Sequence, residues 1–370
     1  MEYQALASLP VGRTRARWLV VLGTISLSCS AASCQGQGQT GTSSATAAIG
    51  AASQSRKLDD YVSWERDLQF TESAASASIR VYFDPKGGFI VADAGQSQIR
   101  VYTDDSHLLW SAGRSGEGPQ EFEQLRNAVR LSSGEVVALD ITGRLTFYSP
   151  EGEFKRTVPT RLNPTFNSWL LNDSTLLISG RPEGVSNPPL LHVWNLQSGR
   201  NVASFFRTPP HDPAFDEAYR YSGWASAADL GGDSIAVVFP LSDTLYLYRA
   251  DGTPLGKLGL PLEHFVRLRE PAPRDESAEA RIAWRNSYSL LSQVFRSPDG
   301  SMYVQYSRLS GVEPMWGVSR LFLQRGRLHK DFEVPEAPRL LGISHRDTSL
   351  HFLRADSLES TVWSIAKLSH

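Results

Sequence analysis

The feature that most constrains this chain is an interval. From residue 79 onward, short apolar runs separated by tight turns recur in one order, and equivalent aromatics fall 46 residues apart, from Tyr102 to Tyr148 and again from Tyr148 to Trp194. Asp93 and Asp140, which close matching runs, are 47 apart. The first unit reads Ile79 to Phe83, a turn at Lys86-Gly87-Gly88, Phe89 to Asp93, Gln98 to Tyr102 and Leu108 to Ser111. The second reads Ala128 to Leu131, a turn at Ser133-Gly134-Glu135, Val136 to Asp140, Arg144 to Tyr148 and Phe154 to Val158. Four weaker copies follow, carried by Leu176 to Ser179 with Leu191 to Trp194, Ile235 to Phe239 with Leu245 to Tyr248, Met302 to Gln305 with Arg320 to Leu323, and Leu340 to Ile343 with Leu350 to Leu353 and Val362 to Ile365. A unit of four short strands cannot bury both faces of its own sheet, so units at this period stack and bury one another.

The fold class this predicts is all-β: a six-bladed β-propeller of four-stranded antiparallel blades. The last unit supplies three strands, and Tyr61 to Phe70, ahead of the first, alternates well enough to be the missing outer one. The ring is therefore expected to be closed by an N-terminal strand, which removes a frayed edge. With strands lettered A to D from the axis outward, the A–B and C–D links are short hairpins such as Glu151-Gly152, Asp251-Gly252 and Asp299-Gly300. The B–C and D–A links read as long at 113–126, 180–189, 207–223, 261–291 and 307–318, with a short helix expected over 275–285. In a propeller these two sets open on the same face, and long loops on a rigid scaffold are where binding residues gather.

The N-terminus carries a different message. Arg13, Arg15 and Arg17 precede an apolar stretch, Trp18 to Leu27, too short to span a bilayer and followed by small residues. Ile25 to Cys29 and Ser30 to Cys34 both have the form of a lipobox, in which small residues lead into a cysteine that takes acyl chains. Several chains on one residue anchor durably. Residues 1–34 thus read as a lipoprotein-type signal peptide, with Cys34 preferred over Cys29 as the lipidated residue because the spacer then has an ordinary length. Residues 35–57, rich in Gly, Gln, Ser, Thr and Ala, read as a flexible linker, and 58–370 as the propeller.

Composition sets limits on partners. The 370 residues carry 37 Lys plus Arg against 39 Asp plus Glu, and removal of the signal leaves 34 against 38. No electrostatic footprint for nucleic acid is present. Cys29 and Cys34 are the two cysteines of the chain, so the repeats hold neither an internal disulfide nor a thiolate zinc site.

Val91 to Tyr102 (VADAGQSQIRVY) and the Gly-rich stretch from Gly113 to Phe122 (GRSGEGPQEF) resemble the repeat phrase and inter-blade link of NHL-like six-bladed β-propellers, here in the form of an envelope lipoprotein. Gln96 stands where that phrase usually has Asn, and Gln120 where the link usually has Gly. The resemblance implies a propeller held at the cell envelope, on the periplasmic or outer-membrane face, exported and tethered to the membrane by its N-terminal lipid.

Chemistry is sparse. The eight histidines are scattered without a metal-binding spacing, and no cofactor or metal is expected. The inner strands offer a mixed polar set, including Arg80, Tyr82, Asn127, Arg130, Asn167, Asp229, Gln293, Arg296, Ser344 and His345, short of the carboxylates that a metal-dependent hydrolase or lyase at the channel mouth uses. That enzyme remains the alternative reading. Asp93 and Asp140 are read as caps of B–C turns. The Gly113 to Phe122 stretch has phosphate-loop composition, but Pro119 bars the helix such loops open into, so it reads as a connector with Phe122 packed between blades. The expectation is a monomeric, non-catalytic binding or scaffold module for an envelope protein or a glycan. Contact is placed on the long-loop face through Arg114, Arg181, Tyr221, Trp224 and Trp316, with Tyr219, Trp284 and Arg308 as further candidates, since flat rings stack on sugars or fill protein hot spots and guanidinium forks read carboxylates.

Overall fold

The computed structural model describes residues 57–68, 78–273, 277–310, 313–355 and 361–369. The signal-like segment, Cys29, Cys34 and the linker through residue 56 lie outside them. The described strands form six four-stranded antiparallel sheets and one small two-stranded parallel pair. Blade 1 is Ile79–Phe83, Phe89–Asp93, Gln98–Tyr102 and Leu108–Ala112; blade 2 is Leu125–Arg130, Val136–Asp140, Arg144–Tyr148 and Phe154–Pro159. Blade 3 spans Leu162–Asn172 to Arg200–Arg207, blade 4 Ser226–Gly231 to Pro254–Gly259, and blade 5 Leu290–Arg296 to Arg327–Ala337. Blade 6 is built from Arg339–Ile343, Leu350–Ala355 and Thr361–Leu368, completed by Val62–Leu68 from the start of the propeller.

The aromatic interval has a structural cause. In four blades the C–D pairing slips by one residue at the repeated aromatic, at Tyr102, Tyr148, Trp194 and Tyr248. Such a bulge opposes two residues to one and sharpens the twist. Tyr102, Tyr148 and Trp194 are buried at that step, while the extra residue on the outer strand is pushed outward: Leu109, Val202 and Leu255, three of the exposed large apolar side chains, all occupy it.

Burial follows the ring. Six apolar clusters are present among the described residues, one between each pair of neighbouring blades. Ile90, Ile99 and Val101 of blade 1 meet Ala128, Val136 and Tyr148 of blade 2, and corresponding clusters join blades 2–3, 3–4, 4–5, 5–6 and 6–1. Closure is part of this scheme. Val62 lies opposite Leu368 and Leu68 opposite Trp363. Leu58 and Val62 enter the 5–6 cluster, Leu68 enters the 6–1 cluster, and Tyr61 stacks on Phe332 with ring centres 4.5 Å apart. The closing strand thus seals two interfaces. Gln69 and Phe70, at the end of the stretch expected to close the ring, lie outside the described residues.

Two features of the link pattern differ from the sequence expectation. Residues 307–318, read as a B–C loop, instead extend the blade 5 hairpin: Ser307 pairs with Trp316, Leu309 with Pro314 and Ser310 with Glu313. The ladder satisfies backbone groups that a loop would leave to water. The D–A links are also unequal, with only residues 160–161 between blades 2 and 3 and Pro338 alone between blades 5 and 6. Among the described residues the long D–A links are 113–124, 208–225 and 260–289. The last carries the expected helix at Ala278–Asn286, capped by Ser277 Oγ accepting from Ala280 N at 3.2 Å, with residues 274–276 outside the described set. The first runs as a parallel pair, Arg114–Ser115 against Glu121–Phe122. Phe122 is fully buried between blades 1 and 2, and Gly113, at φ +97°, leaves room for its ring, since a Cβ there would lie 2.6 Å from Phe122 Cε2. This stretch is a packed connector.

Candidate functional site

The site begins with the inner strands. Because every D strand returns to the face on which the next A strand starts, all six A strands run in the same direction around the axis. Residues at equal depth in neighbouring blades therefore face each other. Blade 1 places Arg80 near the start of its A strand and Asp84 just past its end; blade 2 places Arg126 near the start of its A strand and Arg130 at the end. At the hairpin end this juxtaposes opposite charges, and Arg130 Nη1 meets Asp84 Oδ2 at 3.0 Å. At the link end it juxtaposes two guanidinium groups.

Blade 6 adds a third. Arg339 opens its A strand, and its Nη2 donates to the carbonyl of Ile79, the residue before Arg80, at 2.8 Å. Its guanidinium carbon also lies 5.5 Å from the ring centre of Trp316. Burial, with the charges of Arg339 and Arg126 behind it, lowers the Arg80 pKa to about 9; burial alone lowers Arg339 to about 10. Burial also lowers Arg126, against an opposing pull from Asp140. All three stay cationic at neutral pH. Asp140 is already engaged: it accepts from Gln124 N at 3.2 Å and from Thr142 N at 2.8 Å and pairs with Arg144 at 3.7 Å. Asp93 likewise accepts from Gly95 N at 3.0 Å and Gln96 N at 3.1 Å, so both aspartates cap their B–C turns. Among the described residues no carboxylate bonds Arg80 or Arg126, and Arg126 Nε is buried with no hydrogen-bond partner.

The five residues expected to make contact lie on the link face but do not converge. Arg114 is exposed and braces its own connector, its Nε 2.7 Å from Glu121, whose pKa is held low by the Gly118 amide and then by Arg114. Arg181 donates from Nε to Gly223 O at 3.2 Å and from Nη2 to Arg220 O at 3.3 Å, which ties the link 208–225 to blade 3. Trp224 packs beside the blade 3–4 cluster with Phe166 at 6.3 Å. Tyr221 ends the helix Asp216–Tyr221; its side chain is outside the described set. Of the wider set, Tyr219 stacks on His211 with ring centres 3.7 Å apart, Trp284 Nε1 donates to Glu270 O at 2.9 Å, and Arg308 Nε donates to Asn286 O at 3.0 Å. Among the described side chains of these residues, Trp316 alone meets the arginine group, through Arg339. Sequence reading missed Arg126 because it was assigned to the link ending there, and missed Arg339 because it stands one residue before the apolar run. The shared signal was an arginine beside the first apolar residue of an A strand, in Ile79-Arg80, Leu125-Arg126 and Arg339-Leu340.

The donor set at this mouth is guanidinium with an indole beside it. Among the described residues no three His, Cys, Asp or Glu side chains stand close enough together to hold a metal ion, and no helix is long and apolar enough to cross a membrane.

Against known proteins, no family model matches the chain and no curated protein matches it by sequence. Solved structures do. A member of the DUF4221 family from Bacteroides vulgatus superposes with a TM-score of 0.55 at 12% identity, over 84% of this chain and 98% of that one. A proposed exported protein from Bacteroides fragilis does so with a TM-score of 0.55 at 13% identity, over 85% and 97%. The likeness is one of fold. A streptogramin B lyase fits less well, at a TM-score of 0.45 and 11% identity over 78% of each chain.

Proposed function

We propose that this chain is an exported propeller, tethered at the bacterial envelope through Cys34 or Cys29, that binds an envelope protein or glycan without catalysis on its link face. The observation that carries the reading is the asymmetry of the two channel mouths. At one, Arg130 is paired with Asp84, whereas the other holds Arg80, Arg126 and Arg339 with no carboxylate bonded to Arg80 or Arg126 among the described residues. Buried cations with no bonded carboxylate cost stability and are kept where they serve a ligand. A guanidinium and indole lining supports recognition rather than metal-assisted hydrolysis, which draws on carboxylate and imidazole donors. The three long D–A links open on this same face and give a partner a rim to engage. The signal and lipobox pattern of residues 1–34, together with a fold shared with a proposed exported protein, supports the envelope location.

The test is affinity capture from envelope extract using the full chain and two sets of variants. Trp316→Ala and Trp224→Ala, each checked for an unchanged melting temperature, are expected to lower recovery of the partner at least tenfold if they are hot spots. Glu151→Gln and Glu153→Gln, in an exposed hairpin on the opposite face, are expected to leave it intact. Normal capture by both tryptophan variants, with loss in the hairpin set, would move the interface to the other face.

A further inference from the structure

The arginine group has a geometry more specific than a basic patch. Arg80 and Arg126 come from adjacent blades at equal depth, and Arg339 reaches in from the blade on the other side, anchored to the backbone beside Arg80 by its 2.8 Å bond to Ile79 O. Arg339 is thus oriented by that bond and lies beside the face of Trp316. Arg126 Nε, buried and without a partner among the described residues, is a donor already removed from water. A buried donor left unmade is costly, and native structures leave few of them. Each guanidinium presents a planar fork of N–H groups that matches an oxyanion in two contacts. Arg80, with the charges of Arg126 and Arg339 acting on it from the two neighbouring blades, brings more positive charge and more donors to this end of the channel than a single carboxylate, with two oxygens and one charge, can satisfy. A tetrahedral dianion offers enough oxygens and charge for all three.

We propose that the link-face mouth of the channel is a binding site for a tetrahedral oxyanion, phosphate or the terminal phosphate of a monoester, held by Arg80, Arg126 and Arg339. This deepens the binding reading by naming a ligand chemistry, yet the two fail separately. A phosphate site survives if the long links touch no partner, and a partner can bind the rim with no anion in the channel.

The experiment is calorimetric titration of the purified full chain with inorganic phosphate in a zwitterionic buffer at low ionic strength, with sulfate and acetate as parallel probes. The expected result is one saturable site per chain for phosphate, with acetate at least tenfold weaker. Sulfate binding at similar strength supports the same tetrahedral chemistry and widens the natural source to sulfate esters. Arg80→Gln and Arg126→Gln are each expected to weaken phosphate at least tenfold, whereas Arg130→Gln, at the other end of the same strand, changes it less than twofold. A second readout holds even where a variant folds poorly: without phosphate, Arg80→Gln is expected to melt no lower than the unaltered chain because it removes charge repulsion, and saturating phosphate is expected to reverse that order. Absence of saturable phosphate binding by the unaltered chain overturns the proposal. So does equal affinity for acetate, or phosphate binding that survives both Arg80→Gln and Arg126→Gln.

Discussion

Arg126 and Arg130 stand four residues apart on one inner strand and differ in almost everything that matters energetically. Arg130 meets Asp84 at 3.0 Å, and its backbone carbonyl accepts from Tyr82 Oη at 3.3 Å. Arg126 is buried with Nε unmatched, and its charge acts on Arg80. The neighbouring strand decides the difference, because it offers an aspartate at one depth and an arginine at the other. The hairpin rim continues the first pattern: Arg320 bridges Asp299 at 2.6 Å and Asp331 at 2.7 Å, and Arg346 meets Asp104 at 2.7 Å. A propeller thus sets the electrostatics of each mouth by which residues fall at equal depth, and the two ends of one strand can serve opposite purposes.

The pairing can be broken at its strongest point. Asp84→Asn keeps the side-chain acceptor for Lys86 N, which Asp84 Oδ1 provides at 2.8 Å, and removes only the charge facing Arg130. Stripping one partner from a buried pair leaves an uncompensated cation, so the expected loss is about 4 kcal/mol by denaturant unfolding, partly recovered in Asp84→Asn/Arg130→Gln. A loss below about 1 kcal/mol would erase the contrast between the two mouths.

Blade 6 holds a third way of burying a titratable group, with neither a partner charge nor an unmet donor. Trp363 Nε1 donates to His351 Nδ1 at 3.0 Å, which leaves the ring proton on Nε2 facing Ser349 Oγ at 3.2 Å, and Ser349 Oγ in turn donates to Asp347 Oδ1 at 2.8 Å. Burial lowers the His351 pKa from 6.5 to about 4, with Asp347 opposing and Arg66 adding to it. The unfolded chain therefore takes up a proton between those values that the folded chain refuses. Stability from this group is complete above pH 6.5 and falls as pH drops toward 4, by about 3 kcal/mol over the window. His351→Gln is expected to flatten that part of the pH–stability curve. An unchanged slope in the variant would assign the acid sensitivity elsewhere.

The smallest expected effect lies on the rim. Arg346 and Asp104 are largely exposed despite their 2.7 Å contact, so Arg346→Gln should shift stability by no more than about 0.5 kcal/mol, vanishing in high salt. A larger loss would show that the hairpin rim is as strongly coupled as the pair beneath it.

Much of the ring was legible before any coordinates. The 46-residue interval between Tyr102, Tyr148 and Trp194 is the spacing of a C–D bulge that recurs at the equivalent step in four blades, where it sharpens the twist. The missing fourth strand of the last unit and the alternating stretch from Tyr61 are two ends of one sheet. What could not be read was how far some pairings run and which side chains meet across the sheets. Local pattern placed Trp316 and Arg308 in a loop, yet a ladder from Ser307 to Ser310 extends the strand through that region. The residues expected to make contact were chosen for loop length and side-chain type, and tertiary packing assigned Arg114 to bracing its own link and Arg181 to holding the link 208–225 against blade 3.

By itself the sequence determined the number of blades, the turn chemistry and the strand that closes the ring, because each follows from periodicity or composition within a short window. Only the tertiary structure decided that Arg80, Arg126 and Arg339, spread over 260 residues of chain, stand at one mouth while Arg130 finds Asp84 at the other. Charge pairing depends on depth along neighbouring strands, and that depth is fixed by how the sheets pack around the axis.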